Sequence, residues 1–153
     1  MKFTNSKTSE IFLNNQRYFV KRDDLLHSDF SGNKARKFYY FLKNDLQGIE
    51  KIISHGSNQS NAMYSLSVLC KLKNLKFDYY VSHLPDILSK NPNGNYKEAL
   101  KNGMNLIIGE IPQNFKENEL FICEGGAVKE ASFGIEMLGN EIKSWAKEQN
   151  IED

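Results

Sequence analysis

The sequence contains little cysteine and proline, and its charges of opposite sign almost cancel. It has two cysteines and three prolines among 153 residues, and 20 lysines and arginines against 19 aspartates and glutamates. Cys70 and Cys123 lie far apart in apolar surroundings, so we expect both thiols to be reduced and buried. A net charge of +1 gives no electrostatic reason to expect binding to nucleic acid or to an anionic membrane.

Long apolar segments are also absent. Residues 1–12 have no apolar run that resembles a signal peptide, and no window of the sequence is long and apolar enough to span a bilayer. These absences predict a cytoplasmic protein. The sequence also has no P-loop, GxGxxG, CxxC pair or HExxH, and its three histidines, His27, His55 and His83, are isolated. We therefore predict no metal site and no Cys/His or Ser/His/Asp catalytic set.

Hydrophobic spacing predicts helices that alternate with strands. Such alternation is typical of an α/β protein with right-handed crossovers and a mainly parallel sheet. The predicted strands cover residues 17–20, 52–53, 77–81, 104–108 and 120–123. The predicted helices cover residues 34–47, 61–73, 95–102 and 128–147, and a long loop is predicted over residues 84–95.

Two polar turns lie between a predicted strand and the helix that follows it. They cover residues 55–61 and 124–127. In parallel sheets, ligands gather at the carboxyl ends of strands, and the backbone N–H groups of such turns bind carboxylates or phosphates. The alternative for each is an ordinary capped turn, and the pair Gly125-Gly126 alone favours that alternative.

Three cations, Lys34, Arg36 and Lys37, occupy the predicted start of the first helix. The positive end of a helix dipole favours Asp or Glu at this position, so a basic cluster there is unusual. Lys34 follows Gly32, which allows another backbone to approach closely. A lysine in such a place can form a Schiff base with a cofactor if its surroundings lower its pKa. The alternative is a solvated basic helix face.

Four segments together resemble a known enzyme family. They are KRDDL at 21–25, SGNKARK at 31–37, GSNQSN at 56–61 and FICEGG at 121–126. These segments are similar to the KRED-L…GGNK-x-RKL signature, the GG-x-QSN turn and the strand ending in EGG of pyridoxal-phosphate enzymes with the tryptophan-synthase-like fold. Within that fold, the sequence most resembles the 1-aminocyclopropane-1-carboxylate deaminase and D-cysteine desulfhydrase family.

The resemblance implies a fold, a cofactor and a reaction. Residues 1–36 would begin a large pyridoxal-phosphate domain, residues 37–124 would form a small three-layer α/β domain with a parallel sheet, and residues 125–153 would return to the large domain. The implied activity is that of a deaminase, classed as a lyase or a hydrolase, with pyridoxal 5′-phosphate as cofactor. Its substrate would be a small amino acid, and its products a 2-oxo acid and ammonia.

The same resemblance implies roles for individual residues. Lys34 matches the Schiff-base lysine, and Asn33 lies beside it in the same motif. Asn61 matches the asparagine that hydrogen-bonds the oxygen of the cofactor ring, and Ser60 matches the serine that faces the substrate. In an alternative alignment of the turn, Ser57 is the serine that faces the substrate. The substrate carboxylate would be held by Ser57, Asn58, Gln59 and Ser60.

The sequence departs from the family pattern in composition and in length. Ser57 replaces a glycine, Ala62 replaces a polar residue and Ala127 stands where serine is common, which leaves the exact substrate open. Family members are considerably longer, and their phosphate-binding loop lies beyond the region that this sequence matches. The expected partner is a second copy in a full-length homodimer, or a complementary carboxyl-terminal half. The alternatives for this chain are a truncated, non-catalytic fragment or one half of a split enzyme.

Overall fold

The computed structural model describes residues 3–151, which form a two-stranded hairpin, a four-stranded sheet and the helices around them. Two short 3-10 helices, Asp23–Leu25 and Glu124–Gly126, connect larger elements. In chain order the larger elements are β1 (Thr8–Leu13), β2 (Gln16–Lys21), α1 (Gly32–Lys43), β3 (Lys51–His55), α2 (Asn61–Lys73), β4 (Lys76–Val81), α3 (Asp86–Lys90), α4 (Gly94–Lys101), β5 (Met104–Ile108), β6 (Glu119–Ile122) and α5 (Ala131–Glu148).

The four-stranded sheet has the order β5-β4-β3-β6, and every neighbouring pair is parallel. The predicted α/β class with a parallel sheet is therefore confirmed. On the central strand β3, Ile52 and Ile53 are both buried, as expected for a strand covered on two faces. On β4, Phe77, Tyr79 and Val81 alternate inward.

Helix α2 has the bounds that the sequence predicted, because both of its ends carry clear signals. The Ser60 hydroxyl caps its first turn, and Asn74 ends it in the left-handed conformation, with φ 56°. Met63, Leu66 and Leu69 are fully buried on this helix. Burial of each such side chain contributes about 1.5–3 kcal/mol, so α2 holds the turn that precedes it firmly against the sheet.

Other predicted boundaries were wrong. Helix α1 ends at Lys43 rather than residue 47, because Asn44 turns to extended backbone while its side chain donates to the Tyr40 carbonyl. The predicted loop 84–95 contains α3, whose Leu88 is buried in the core. Helix α5 begins three residues later than predicted, because residues 128–130 form turns whose carbonyls accept from the N–H groups three residues later.

The strand β1 and its hairpin with β2 were not predicted. The two strands are antiparallel and pair from Thr8 with Lys21 to Leu13 with Gln16. Asn14 and Asn15 form the turn with φ values of 50° and 62°. Consecutive left-handed residues are typical of two-residue hairpin turns, and asparagine tolerates that conformation well. The Asn14-Asn15 pair was thus the available signal for the hairpin.

A buried ionic cluster joins the hairpin region to α1 and α5. The Arg36 side chain, 1% exposed, donates to Asp23 at 2.7 and 3.0 Å and to Glu141 at 2.7 and 2.8 Å. Lys21 Nζ lies 3.0 Å from Glu141, and the Asn5 N–H donates to the same carboxylate at 2.8 Å. Two of the basic residues in the resemblance, Lys21 and Arg36, therefore belong to a structural cluster. The alternative interpretation of the first helix, a solvated basic face, is therefore wrong for Arg36, whose side chain is buried.

The described part of the chain contains no helix that is both long and apolar enough to cross a membrane. Both cysteines are free, with Cys70 buried and Cys123 half-buried. Burial raises the pKa of the Cys70 thiol, which disfavours its reactive thiolate form. The domain bounds at residues 36 and 124 stay a prediction, and the outer ends of the first and third predicted segments lie outside the described residues.

Candidate active site at the carboxyl ends of the strands

The sheet order creates a switch point between β3 and β6. From β3 the chain proceeds through β4 to β5 on one side, and then returns to place β6 on the other side. In open parallel sheets, the crevice outside the carboxyl ends of two such strands is the usual ligand site. The two polar turns predicted from the sequence, residues 55–61 and 124–127, follow these two strands.

Helix α1 places the Lys34 amino group at this switch point. The helix begins at Gly32, which has a φ of 66°, after the extended residue Ser31. Lys34 Nζ donates to the Gly125 carbonyl at 2.9 Å, and Lys37 Nζ donates to the same oxygen at 3.2 Å. A single carbonyl after β6 thus holds two amino groups from successive turns of one helix.

The surroundings of Lys34 lower the pKa of its amino group. The larger cause is burial of the side chain, and the second is the nearby charge of Lys37. Both effects disfavour the ammonium form, so more of the amine is neutral at a given pH. A neutral amine is the form that attacks a carbonyl carbon, which is the chemistry that a cofactor lysine requires.

A cleft of about 330 Å³, the lysine cleft, is lined in part by Lys34. It brings together Asn33, Lys34 and Asn61, three of the residues predicted from the sequence. Asn95 and Tyr64, which the sequence analysis did not identify, also line it. The starts of α1, α2 and α4 therefore meet around one polar cavity.

The two candidate serines lie in different environments. The Ser60 hydroxyl accepts hydrogen bonds from the backbone N–H groups of Ala62 at 3.1 Å and Met63 at 3.4 Å. Ser57 is exposed and lines a second cleft of about 580 Å³, the strand-end cleft, together with His55 and Glu124. Neither serine lines the lysine cleft.

The side chains of Asn58 and Gln59 tie the turn to neighbouring segments. Asn58 Nδ2 donates to the His83 carbonyl at 3.4 Å. Gln59 Nε2 donates to the Asn93 carbonyl at 3.2 Å, and Gln59 Oε1 accepts from the Tyr96 N–H at 3.4 Å. These amides support the turn, so its backbone N–H groups and the exposed Ser57 hydroxyl are the candidates to hold a carboxylate.

Sequence reasoning missed a buried tyrosine behind the turn. The Tyr79 side chain is fully buried, and its hydroxyl donates to the Ser57 carbonyl at 3.2 Å. Burial is the main cause that raises the pKa of Tyr79 to about 12, so the phenol remains protonated and can donate. The sequence placed Tyr79 only within the predicted strand 77–81, because the spacing of apolar residues does not reveal what a hydroxyl contacts.

Gly56→Ala should destabilise the protein by about 2–3 kcal/mol, because the new methyl group has no room. Gly56 has a φ of 140°, and a Cβ there would lie 2.6 Å from the Tyr79 hydroxyl and 2.7 Å from a Glu124 carboxylate oxygen. Gly48→Ala is the matched control, since Gly48 also has a positive φ, 79°, but no atom within 4 Å. Urea denaturation of both variants tests this, and equal losses would contradict the steric explanation.

Comparisons with known proteins identify the fold. No family model and no curated protein matches the sequence. The crystal structure of an ACC deaminase homologue matches with a TM-score of 0.71 and 22% identity, over 93% of this chain and 49% of that chain. A hydrogen sulfide-producing enzyme from Fusobacterium nucleatum matches with a TM-score of 0.49 and 14% identity, over 93% and 40% of the two chains.

The first match confirms the α/β fold that the resemblance implied. The chain has the fold of an ACC deaminase homologue, and it spans about half the length of that solved structure. At 22% identity, this likeness defines the class of fold and not the activity. The function is therefore argued from the residues of the site.

Proposed function

We propose that this chain is part of a pyridoxal-phosphate-dependent deaminase or lyase. The substrate would be a small amino acid of the 1-aminocyclopropane-1-carboxylate or D-cysteine type, and the products a 2-oxo acid and ammonia, together with hydrogen sulfide when the substrate is D-cysteine. One observation carries the proposal. The Lys34 amino group, with its lowered pKa, lies 2.9 Å from the Gly125 carbonyl at the switch point, and Lys34 lines a cleft together with Asn33 and Asn61.

The residues of the lysine cleft fit pyridoxal phosphate chemically. The Lys34 amine could attack the aldehyde carbon of the cofactor. The Asn61 side-chain amide could donate a hydrogen bond to the oxygen on the cofactor ring, and Asn33 lies next to Lys34 in the chain. When bound, the cofactor supplies an electron sink for the carbanion that forms on the substrate. The chain itself would hold the cofactor through Lys34 and orient it through the two asparagines.

The remaining predicted residues take roles toward the substrate in this proposal. Lys34 Nζ would take up a proton from the substrate and return it. The Ser60 hydroxyl would assist proton transfer at the start of α2. The backbone N–H groups of Ser57, Asn58 and Gln59 would hold the substrate carboxylate, as the start of a helix does for anions.

A second candidate role is one half of a two-part enzyme, and the surface of the chain favours it. Among residues 3–151, five of the eleven exposed large hydrophobic residues lie in the hairpin and two more lie on α5. These seven residues are Ile11, Phe12, Leu13, Tyr18, Phe19, Ile135 and Ile142. Exposed apolar surfaces of this kind usually contact another protein segment. We propose a complementary carboxyl-terminal segment, in the same chain or a separate one, as the partner that covers them, and a homodimer as the complete form.

Titration with pyridoxal phosphate, followed by visible absorbance, tests the proposed cofactor site. We expect Lys34→Ala to abolish the absorbance change that the wild-type chain shows. Lys43→Ala, at the other end of α1, should leave it intact. An unchanged titration of Lys34→Ala would overturn the assignment of Lys34.

The affinity of the 153-residue chain by itself should be low, with little or no turnover of an amino acid. About half of the solved structure that it resembles lies outside the shared region. Each charge-assisted hydrogen bond to a phosphate contributes about 1.5–3 kcal/mol, so contacts made from outside that region would change affinity by orders of magnitude. Stoichiometric binding with turnover by this chain alone would contradict the two-part proposal, while the assignment of Lys34 would stand.

A further inference from the structure

Asn95 lies at the start of α4 and contacts the turn that precedes α2. It is half-buried and lines the lysine cleft beside Asn61. No motif in the sequence marked this residue, because it lies 34 positions from Asn61 in the chain. Its side chain nevertheless contacts the residue that the proposed function assigns to the cofactor ring.

The contacts of Asn95 define which end of the Asn61 amide points at it. Asn95 Nδ2 donates to the Gln59 backbone carbonyl at 3.0 Å and to Asn61 Oδ1 at 2.7 Å. A backbone carbonyl can only accept a hydrogen bond, so the Asn95 atom at this point must be its nitrogen. The Asn61 atom that faces this nitrogen must then be an acceptor, which is its oxygen.

This contact leaves the other end of the Asn61 amide for the cleft. Within residues 3–151, no protein acceptor takes a hydrogen bond from Asn61 Nδ2, and Asn61 is an exposed residue that lines the lysine cleft. The Nδ2 group carries two N–H donors. A donor is what an oxygen on a cofactor ring requires, whereas the amide oxygen in the same place would repel it.

We propose that Asn95 is a positioning residue that fixes the orientation of the Asn61 amide, so that its N–H donors face the lysine cleft. The inference rests on the proposed function for the identity of the ligand, a pyridine ring with an oxygen substituent. It does not require Asn95 to touch that ligand. The orientation is a property of the chain without any ligand.

Two substitutions at Asn95 should raise the Kd for pyridoxal phosphate by different factors, which would not be expected if Asn95 only filled space. Asn95→Ala removes the orienting donor, and we expect the Kd for pyridoxal phosphate to rise about 3- to 5-fold. In Asn95→Asp, the new carboxylate accepts from Asn61 Nδ2, so the amide turns and presents its oxygen to the cleft. We expect this variant to raise the Kd at least about 10-fold, although aspartate suits the first turn of a helix.

Matched variants separate orientation from charge. Asn93→Asp adds the same charge two residues earlier and keeps the oxygen that accepts from Gln59 Nε2 at 3.3 Å, so it should change the Kd little. In an Asn61→Ala background, Asn95→Asp should have no more effect than Asn93→Asp. With 3-deoxypyridoxal 5′-phosphate, which lacks the ring oxygen, the difference between Asn95→Asp and Asn95→Ala should disappear. A Kd for Asn95→Asp equal to or below that of Asn95→Ala would overturn the proposal.

An NMR measurement decides the orientation even if no cofactor binds. We expect the Asn61 Nδ2 protons of the wild-type chain to exchange readily with water, and those of Asn95→Asp to become protected about 10-fold. Equal protection in the two proteins would overturn the orienting role. If the orientation is confirmed while even high concentrations of pyridoxal phosphate followed by borohydride leave Lys34 unlabelled, the proposed function fails and the positioning of Asn61 stands.

Discussion

Replacing Glu141 with alanine should lower the free energy of unfolding by about 3 kcal/mol or more. The reason is that a buried charge which loses its partner costs about 3–5 kcal/mol. Glu141 accepts two hydrogen bonds from the Arg36 guanidinium, at 2.7 and 2.8 Å, and Lys21 Nζ lies 3.0 Å from it. Without this carboxylate, Arg36 keeps only Asp23 as a charged partner within the described residues.

Urea denaturation at pH 7 measures this loss, and Glu148→Ala is the control on the same helix. Glu148 is exposed, so its replacement should change the free energy of unfolding by less than about 0.5 kcal/mol. Glu141→Gln keeps the shape of the side chain and removes the charge, so its loss should be intermediate. Similar values for Glu141→Ala and Glu148→Ala would show that the buried cluster does not stabilise the fold.

The contribution of Glu141 should also depend on pH. Burial alone would raise the pKa of Glu141, but hydrogen bonds from Arg36, Asn5 and Lys21 outweigh it and hold the pKa at about 2. The folded state therefore has the lower pKa, and the stabilisation is complete above the unfolded value of about 4.3. It is lost as the pH falls toward 2. The difference between wild type and Glu141→Gln should shrink between pH 5 and pH 2, and a constant difference would contradict this sign.

Gly134→Ala should destabilise the protein by at least about 3 kcal/mol or prevent folding. Helix α5 crosses α1 so closely at Gly134 that an added Cβ would lie 1.9 Å from the carbonyl oxygen of Arg36. Backbone atoms inside a helix cannot move aside as a flexible side chain can, so the helices must separate. Such a separation would also strain the hydrogen bonds between Arg36 and Glu141.

Gly139→Ala is the matched control on the same helix. An added Cβ at Gly139 would meet no atom within 4 Å, so the usual preference of helices for alanine should apply. We expect this variant to be as stable as the wild type or more stable by up to about 1 kcal/mol. Thermal unfolding of the two variants compares them directly. A Gly134→Ala protein as stable as Gly139→Ala would contradict the close crossing.

Local signals in the sequence were sufficient for much of the fold. Helix α2 was predicted from its apolar face with the bounds that are observed, and in the structure Ser60 and Asn74 cap its two ends. The alternation of strands with helices predicted the parallel sheet. The short helix α3 was missed because only Leu88 is buried on it, and one apolar residue gives no periodicity to detect.

Long-range contacts explain what the sequence did not predict. Arg36 is buried because Asp23 and Glu141 meet it, and these partners lie 13 and 105 residues away in the chain. The position of Lys34 against Gly125 joins residues 91 positions apart. The spacing of residues along the chain cannot predict such contacts. The resemblance to a family predicted roles for Lys34 and Asn61, but the contact of Asn95 with Asn61 follows only from the packing of α4 beside α2.

The most direct test of the central claim is to find which lysine reacts with the cofactor. The chain is incubated with pyridoxal phosphate, reduced with borohydride, digested and mapped by mass spectrometry. We predict that the reduced label lies on Lys34, because burial and the charge of Lys37 lower the pKa of its amine. The Lys34→Ala protein should lose that label. A label confined to other lysines, or spread equally over the exposed ones, would contradict the assignment of this cleft as a pyridoxal-phosphate site.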